Sequence, residues 1–589
     1  MRPAAQLLRG LPLGPILAGI LWASAFPKVE MPVLAWLVPA TLLLASASAS
    51  AKGHFRRGYV AGVVHFLISL HWLLFIPFPL GALAGWLALG TYLALFPAAW
   101  CWICWRFAPV ASSMVPRYGS LPLPESLAST RSPSLIACLN LANSAWYQRT
   151  VWGVFCAAAW VASELAMARL LTGFPWNLLG SSHYQYPPLI QIASVTGVYG
   201  VSFQIAWVSL GILCAGSTVI RMATRSTATA NPRGQPGSNQ HWLPLAEVTL
   251  PLLGLAFCLA FGFSRITREE KPGLDNIRLA LVQPSIPQTL IFDARESTNR
   301  FNKLIDLSSL AMAAKPDLLI WPEAATPGLL RFESTASSAI AKLLKGSRTS
   351  MILGADDAEL IPETADPNDA NYYNSAFLLN PKGEIEGTYR KQRLVIFGEY
   401  VPLSRWLPFL KLLTPIGGGF EAGTTPVWFT IREPQARLGV LICFEDAFPH
   451  SVRRTVDDET DFLLNLTNDG WFGESAAQWQ HAVCSVFRAV ENQLPVVRCT
   501  NNGVTCWIDA LGHMHEVYFG NSADVYGAGI KTARLPLLGR TRKRSLSFYT
   551  RHGDVFAWTC LAVTGATLAL SLSSNQRSRR VRPGEATNG

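Results

Sequence analysis

Three residues of this chain carry the side chains that a covalent acyl transfer needs. Glu323 closes the run Asp-Leu-Leu-Ile-Trp-Pro-Glu, Lys391 lies in Tyr-Arg-Lys-Gln-Arg, and Cys443 ends the apolar run Leu-Gly-Val-Leu-Ile-Cys. A thiol is a strong nucleophile as the thiolate, which a nearby cation favours and which a carboxylate can generate by taking the proton. Each residue follows a predicted β-strand, and the strand ends of α/β sheets are where sites assemble. The pattern therefore predicts a Cys nucleophile with a base and a cation.

Taken singly, each of these residues has an ordinary structural explanation. A Glu after Trp-Pro is often a turn or cap residue, a Lys near a strand end is usually solvated, and a Cys ending a strand usually belongs to the core. The separations of 68 residues between Glu323 and Lys391 and 52 between Lys391 and Cys443 are on the scale of a domain. A chance local cluster does not account for them.

The elements that must position these residues are alternating strands and helices. Helices are predicted over 296–313 and 476–491. The predicted strands cover 277–283, 318–321, 351–354, 375–379, 438–443 and 462–465. Buried apolar runs separated by helices predict an α/β domain with both sheet faces covered.

The rest of the chain has the composition of a membrane protein. Its 589 residues are 50% hydrophobic and 15% charged, with 20 Trp and a mean hydropathy of +0.25, which argues against a soluble enzyme. A membrane-spanning helix needs about 20 apolar residues, and the first segment lacks a convincing signal cleavage site. Eight spans are predicted, near 11–27, 31–48, 58–79, 82–105, 150–171, 187–216, 243–263 and 553–573. The expected organisation is a membrane domain over 1–267, a catalytic domain over 268–551, and a last span with a basic tail over 552–589.

The distribution of charge predicts the orientation of these spans. Residues 268–551 hold 30 Lys and Arg against 32 Asp and Glu, so the net charge of +11 comes from the apolar parts and does not indicate nucleic-acid binding. With the N-terminus in the cytoplasm, one side carries 16 Lys and Arg, while the short loops of the other side carry only Lys28 and Arg169. Cytoplasmic loops are the basic ones. The catalytic domain is therefore expected outside the cytoplasm, with both termini inside.

Several other features leave their role open. The polar loops 110–148 and 222–241 are expected to be unstructured. Cys101 and Cys104 form a CxxC inside a predicted span and are expected to be buried apolar residues. The pairing of Cys484, Cys499 and Cys506 stays open. For Glu164, His65 and His71, within predicted spans, hydrogen bonding between helices is favoured over a role in function.

The motifs around the three residues resemble a known family. Residues 277–530 are similar to the nitrilase, or carbon–nitrogen hydrolase, superfamily, on the motifs Leu-Ile-Trp-Pro-Glu, Tyr-Arg-Lys and Leu-Ile-Cys-Phe-Glu. The runs 281–288, 397–403 and 465–473, with 172–176 and 197–202 in the apolar part, resemble the bacterial apolipoprotein N-acyltransferase family of that superfamily. The family pattern has Pro where this chain has Ile396, which affects the local loop geometry and removes no reacting group.

The resemblance implies a fold, a reaction and a set of roles. The fold is an α-β-β-α sandwich attached to a polytopic helical bundle in the bacterial inner membrane. Cys443 attacks an ester of a membrane phospholipid, Glu323 is the general base, and Lys391 stabilises the oxyanion. The acyl group passes from the Cys443 thioester to the α-amine of the diacylglyceryl-cysteine of an apolipoprotein, without a metal or a diffusible cofactor.

Two carboxylates and several aromatic residues are second-tier candidates. Glu399 and Glu445 lie at or beside the family's active-site positions, and each is either a supporting group or a buried carboxylate satisfied by backbone N–H groups. Trp471 and Phe472 line the substrate pocket or belong to the core.

The apolar stretch after Pro402 predicts contact with the bilayer. Trp406, Leu407, Phe409 and Leu410 are expected to enter the outer leaflet and gate the site, with 417–419 as a hinge. Packing of this loop on the domain core is the alternative.

Two other functions are compatible with parts of the sequence. A membrane-tethered amidase with the same triad needs only one span, and a transporter with an outer domain should show an inverted repeat, which we do not detect. Neither alternative explains motif matches in both halves of the chain.

Overall fold

The first part of the chain is a bundle of helices. The computed structural model describes residues 12–109, 133–228, 243–268, 275–291, 293–361, 370–404, 406–409, 414, 419–519, 524–538 and 543–580. The bundle comprises Leu13–Ala23, Val38–Ser46, Ala51–Ser69, Pro79–Leu93, Leu95–Arg106, Pro133–Ala142, Trp146–Met167, Val198–Ala228 and Leu243–Thr267, joined by the last helix of the chain, Val555–Arg580. The prediction of an apolar helical part is confirmed.

Five helical stretches in the described residues are long and apolar enough to cross a bilayer. They are Pro79–Arg106, Trp146–Met167, Val198–Ala223, Glu247–Thr267 and Val555–Ser573. The segments predicted at 11–27, 31–48 and 58–79 contain shorter or less apolar helices, and Ala51–Ser69 ends before a 3₁₀ turn at His71–Phe75. The count of eight spans stays a prediction.

The loop predicted over 110–148 contains a helix, Pro133–Ala142, so the expectation of an unstructured segment is wrong there. Its residues Cys138, Leu139 and Leu141 are buried against the bundle, and this packing compensates for the polar composition around it. The helix Val198–Ala228 likewise covers the start of the loop predicted at 222–241. Residues 110–132 and 229–241 lie outside the described residues.

The buried Glu164 of the bundle makes local hydrogen bonds through one of its oxygens. Glu164 Oε1 accepts from Trp160 Nε1 at 2.9 Å, within the same helix, and from the Leu179 backbone N–H at 2.7 Å. Cys101 and Cys104 are buried, as expected for apolar residues. The cysteines whose pairing stayed open, Cys484, Cys499 and Cys506, are free thiols.

The second part of the chain is built on two sheets. The strands are β1 (Asn276–Gln283), β2 (Leu318–Ile320), β3 (Ser350–Leu360), β4 (Ala370–Leu379), β5 (Ile385–Arg390), β6 (Trp428–Arg432), β7 (Gln435–Ile442), β8 (Phe462–Thr467), β9 (Val496–Thr500), β10 (Cys506–Ile508), β11 (Met514–His515) and β12 (Gly529–Pro536). Within the described residues they form two six-stranded sheets, ordered β12-β1-β2-β3-β4-β5 and β11-β10-β9-β8-β7-β6. The central strands β1–β3 and β7–β9 run parallel in each sheet.

The sheets pack face to face and are covered by helices on their outer faces. Residues such as Leu279 and Ile320 of one sheet share a buried core with Val440 and Leu464 of the other. The helices Ser297–Met312 and Ser334–Leu344 cover the first sheet. The helix Ala477–Asn492 covers the second sheet, and its own outer face packs on the bundle. The predicted α/β domain with two covered faces is therefore confirmed.

One glutamine of the helix Ala477–Asn492 contributes several of the hydrogen bonds between the two parts of the molecule. Gln480 Oε1 accepts hydrogen bonds from Trp72 Nε1 at 3.0 Å and from Trp176 Nε1 at 2.8 Å. Gln480 Nε2 donates to the carbonyl oxygens of Pro27 at 2.8 Å and Ser69 at 3.3 Å. Because these partners come from separate segments of the bundle, one side chain ties several helices to the sandwich.

Candidate active site

The three residues singled out by the sequence follow three different strands and approach one another at the same end of the sandwich. Glu323 lies three residues after β2, Lys391 directly after β5, and Cys443 directly after β7. Glu323 and Lys391 belong to the first sheet and Cys443 to the second, so the cluster lies where the two sheets face each other. Although these residues are far apart in the sequence, Lys391 contacts Glu323 directly, and the charges of both residues act on Cys443.

Lys391 is the centre of a buried ion-pair cluster. Its Nζ lies 3.2 Å from Glu323 Oε1 and 2.9 Å from Glu399 Oε1, and its side chain is 1% exposed. Asn374 Nδ2 donates to the same two oxygens, at 2.8 Å to Glu323 and 2.7 Å to Glu399. The two carboxylates are thus held together by one ammonium and one amide.

The charge of Lys391 is fixed by this environment. Burial alone would lower the pKa of the ammonium, but the Glu323 and Glu399 carboxylates outweigh burial and raise the pKa well above its ordinary value. An ammonium has three N–H donors, and two of them point to the carboxylates. Among the described residues the third donor has no hydrogen-bond acceptor, and a buried cation with a free N–H is able to stabilise a developing negative charge.

Cys443 has a constrained backbone. Its φ of +56° lies in the left-handed region, which costs a residue with a Cβ about 1–3 kcal/mol and persists only where the surroundings enforce it. Asn465 Nδ2 donates to the Cys443 carbonyl at 3.1 Å, and His481 Nε2 lies 3.3 Å from the same oxygen. The preceding Ile442 N–H donates to Glu445 at 2.7 Å. These contacts fix the turn that carries the thiol.

The surroundings of Cys443 favour the neutral thiol over the thiolate. Burial, followed by the negative charge of Glu323, raises the pKa of Cys443 well above its ordinary value, and the ammonium of Lys391 opposes this only in part. The Glu323 carboxylate accepts three hydrogen bonds, from Lys391, Asn374 and the Asn468 backbone N–H at 2.9 Å. A carboxylate has about four acceptor positions, so Glu323 is able to accept one further hydrogen bond.

A second buried network supports the Cys443 turn from behind, and the sequence did not reveal it. His481 Nε2 lies 2.9 Å from Asp446 Oδ1, and His481 Nδ1 lies 2.7 Å from Asp469 Oδ1. Burial opposes protonation, but the two aspartates outweigh burial and raise the pKa of His481 to about 9. Arg498 Nη1 also lies 2.7 Å from Asp446 Oδ2. Two buried cations therefore balance two buried carboxylates next to the nucleophile.

The two supporting carboxylates have different surroundings. Glu445 Oε1 accepts from the backbone N–H groups of Gln392 at 2.8 Å and Arg393 at 3.0 Å, while its Oε2 accepts from Ile442 and from Tyr389 Oη at 2.8 Å. Glu445 thereby links the loop after Lys391 to the turn before Cys443. Its contacts are those of a buried, satisfied carboxylate.

Glu399 instead contacts the charged group itself. Its Oε1 faces Lys391 and its Oε2 accepts from the Val395 backbone N–H at 2.8 Å. It is therefore placed to orient the ammonium. Asn374, which shares both carboxylates, was missed, because an Asn inside a strand carries no sequence signal of a site.

The aromatic candidates lie in two different environments, one at the contact with the bundle and one exposed on the surface. Phe472 packs edge-on against Trp72 of the bundle, with ring centroids 4.5 Å apart, and Trp471 before it is half-buried. Trp406 and Phe409 are 82% and 58% exposed. Leu410 and residues 417–418 lie outside the described residues.

Comparison with known proteins was made for the whole chain. The carbon–nitrogen hydrolase family model matches residues 278–536, and the model of the apolipoprotein N-acyltransferase N-terminal domain matches residues 18–211. The apolipoprotein N-acyltransferase of Geobacter metallireducens is 33% identical over 96% of this chain and 95% of that protein. That of Chlorobaculum tepidum is 27% identical over 96% of both. A solved nitrilase-superfamily amidase of Nesterenkonia AN1 is 16% identical and covers 44% of this chain and 90% of its own, with a TM-score of 0.32.

Proposed function

Because the chain belongs to the apolipoprotein N-acyltransferase family, and is therefore a membrane-associated acyltransferase of lipoprotein maturation, we propose that it takes its acyl group from a membrane phospholipid through a thioester on Cys443. The observation that carries this proposal is the buried cluster of Lys391 with Glu323 and Glu399, next to the constrained Cys443 turn. It supplies a base, an oxyanion partner and a nucleophile within one site.

In the first half of the reaction, Glu323 takes the thiol proton as the sulfur attacks an ester carbonyl of the phospholipid. The third N–H of Lys391 stabilises the negative charge on the carbonyl oxygen. The carbon–oxygen bond of the ester then breaks, and protonated Glu323 returns the proton to the leaving lysophospholipid oxygen. The acyl group remains on Cys443 as a thioester.

In the second half, the acceptor is the free α-amine of the diacylglyceryl-cysteine at the N-terminus of an apolipoprotein. The amine attacks the thioester carbonyl, and Glu323 takes one amine proton as the amide forms. The carbon–sulfur bond breaks, and the sulfur regains its proton from Glu323. These residues carry out the transfer without a metal or a diffusible cofactor.

The orientation of the chain follows from the proposed donor. Eight spans with both termini in the cytoplasm place residues 268–551 on the periplasmic side of the inner membrane, between the seventh and eighth spans. The excess of Lys and Arg in the loops of the opposite side supports this orientation. The domain boundaries 1–267, 268–551 and 552–589 belong to the same proposal.

The segment around Trp406 is the proposed contact between the site and the lipid. Trp406, Leu407 and Phe409 expose large apolar side chains close together, and such a patch is expected to be covered by lipid or protein. It begins seven residues after Glu399, the partner of Lys391. In this proposal the segment enters the outer leaflet and admits the acyl chains, with residues 417–419 as its hinge and Trp471 and Phe472 lining the pocket.

The mechanism is tested by intact-protein mass measurement after incubation with phospholipid. We expect one hydroxylamine-labile acyl adduct that is absent from Cys443→Ala, and we expect a diacylated lipopeptide with a free amine to release it. An acetylated lipopeptide is the matched control and should leave the adduct in place. Absence of the adduct from the wild-type enzyme would refute the thioester, and release by water alone would favour an amidase.

A further inference from the structure

Arg169 marks the level at which two membrane helices end. It lies two residues after the helix Trp146–Met167, and its guanidinium pairs with Asp554, which directly precedes the helix Val555–Arg580. The guanidinium also lies 5.8 Å from the ring centre of Trp558 in the first turn of that helix. Charged and aromatic residues at the ends of spans lie among the lipid headgroups. Arg169 was also one of the two exceptions to the charge asymmetry of the sequence.

A second arginine reaches the same level from the catalytic domain. Arg393 Nη2 lies 2.7 Å from His450 Nε2, and its Nη1 lies 3.5 Å from the carbonyl oxygen of Thr172, three residues after Arg169. Its guanidinium lies 4.9 Å from the ring centre of Phe448. Arg393 follows Lys391 by two residues, so this positive charge is tied to the loop of the proposed site.

A third arginine, Arg454, belongs to the same cluster, because it follows His450 by four residues across the adjacent helical turns Pro449–Val452 and Arg453–Thr455. The three arginines repel one another. Burial, with the positive charges of Arg169 and Arg454, lowers the pKa of Arg393 below its ordinary value. Burial and the same arginines lower the pKa of His450 to about 3, so the imidazole is neutral and accepts from Arg393. None of the ion pairs within the described part of the chain involves Arg393 or Arg454. Asp554 pairs with Arg169, and the negative charge of Glu445 partly offsets the effect of the other arginines on Arg393. Among the described residues the three arginines therefore have Asp554 as their one ion-pair partner.

The cluster is accessible and lies near the site. Arg454 is exposed, Arg393 is partly exposed, and the Arg169 side chain is 30% exposed. The ring of Phe448, under Arg393, lies 5.2 Å from the ring of Phe444, the residue after Cys443. The Phe444 ring centre in turn lies 5.9 Å from Lys391 Nζ, so two aromatic rings connect the arginines to the proposed site. The ordinary explanation is three independently solvated arginines, but Arg393 is held against His450 and reaches the carbonyl oxygen of Thr172, three residues after Arg169.

We propose that Arg169, Arg393 and Arg454 form a binding site for the phosphate group of a membrane phospholipid. Guanidinium groups bind phosphate through paired charge-assisted hydrogen bonds, and the phosphates of a bilayer lie at the level that Arg169 marks. The inference rests on the proposed phospholipid donor: the glycerol of a phospholipid joins its phosphate to its ester carbonyls, so holding the phosphate brings an ester towards Cys443.

The site is tested by lipid binding, which does not require turnover. The full-length Cys443→Ser enzyme is purified in detergent, and its retention of phosphatidylglycerol and of a diacylglycerol with the same acyl chains is compared by native mass spectrometry. We expect Arg393→Gln with Arg454→Gln to weaken phosphatidylglycerol binding about 10-fold or more, since bonds to charged groups are the strong ones. Retention of diacylglycerol, which has no phosphate, should stay the same in this variant.

Two further variants make the result specific. Arg432→Gln, at an 81% exposed side chain paired with Glu386, should bind phosphatidylglycerol as the parent does. Arg393→Lys with Arg454→Lys should restore part of the binding, because the charge is kept. Millimolar inorganic phosphate separates a lipid from a free anion: a lipid site keeps its phosphatidylglycerol, and displacement by inorganic phosphate would overturn the assignment to a lipid.

The outcomes separate this site from the proposed reaction. Unchanged binding of phosphatidylglycerol, or an equal loss of both lipids, would overturn the arginine site even if the Cys443 thioester forms in the parent enzyme. Arginine-dependent binding without any thioester would support the site and refute the proposed reaction.

Discussion

The Glu399 carboxylate lies 2.9 Å from the Lys391 ammonium in a pair that is almost completely buried. The other oxygen of Glu399 is held by the Val395 N–H at 2.8 Å, so the pair ties the ammonium to the backbone of the following loop. The position of the cation therefore depends on a residue outside the triad. A buried pair of this kind is expected to determine orientation more than stability.

Glu399→Gln should strongly slow acylation of Cys443 and should lower the thermal midpoint of the protein only slightly. Replacing the carboxylate removes a charged hydrogen bond of about 1.5–3 kcal/mol, which corresponds to a loss of about 10- to 100-fold in the rate of thioester formation. The measurement is the rate of acyl adduct formation by intact mass, with the thermal midpoint recorded in parallel. Glu421→Gln, at an exposed carboxylate, is the control, and an unchanged rate in Glu399→Gln would contradict the orienting role.

Glu323→Gln should speed alkylation of Cys443 while it abolishes acyl transfer. The negative charge of Glu323 is one cause of the raised pKa of the thiol, and Lys391 lowers that pKa. Removing the carboxylate leaves the cation, so the pKa of the thiol falls, and the thiolate fraction at a given pH rises. Alkylation by iodoacetamide is measured against pH by mass spectrometry, with Cys443→Ala to identify the site. A profile that does not move would show that Glu323 does not affect the thiol.

Glu323 and Cys443 could be singled out because each follows an apolar strand, and a strand end is recognisable in the sequence. Lys391 follows the polar strand β5 and was indicated by its Tyr-Arg-Lys motif. Asn374 could not be predicted in the same way. It reaches both carboxylates because β4 pairs with β3 and β5 in one register, with Asn374 opposite Asp356. Register depends on the whole sheet and not on the residues near Asn374. Strands β5, β6 and β9–β12 were missed for a related reason, since short or polar strands lack a clear apolar run.

The helix Ala477–Asn492 shows a second limit of what the sequence can predict. Its bounds were predicted to within one residue, yet its polar residues Gln480, His481 and Arg488 indicate a solvated face. In the structure these side chains are buried, because the bundle covers the face that would otherwise meet water. A periodic pattern identifies a helix, but it does not reveal that both faces have protein partners. Gln480 and the His481 network remained hidden for this reason.

Gln480→Leu should destabilise the whole protein. The substitution leaves the buried indole N–H groups of Trp72 and Trp176 without their acceptor, and each unsatisfied buried group costs about 1–3 kcal/mol. We expect a lower thermal midpoint in detergent, measured by intrinsic fluorescence, which the tryptophans at the junction report directly. Gln435→Leu, at an exposed position of the β6–β7 hairpin, controls for the loss of an amide, and an equal effect of the two variants would contradict a special role for the junction.

Trp406→Ser with Phe409→Ser should slow acylation by bilayer phospholipid more than acylation by a short soluble ester. Both rings are largely exposed, and burial of such a side chain in an apolar environment contributes about 1.5–3 kcal/mol. If they enter the leaflet, their loss weakens engagement with the bilayer without altering Glu323, Lys391 or Cys443.

The comparison uses vesicles for the lipid donor and an aqueous solution for the ester, with adduct formation on Cys443 as the common readout. We expect a loss of about 10-fold or more with vesicles and little change with the ester. Leu310→Ser removes an apolar side chain that is 65% exposed on the helix Ser297–Met312 and should affect neither donor. If both donors slow equally, the segment acts on the site itself through packing, and the proposed contact with the bilayer is wrong.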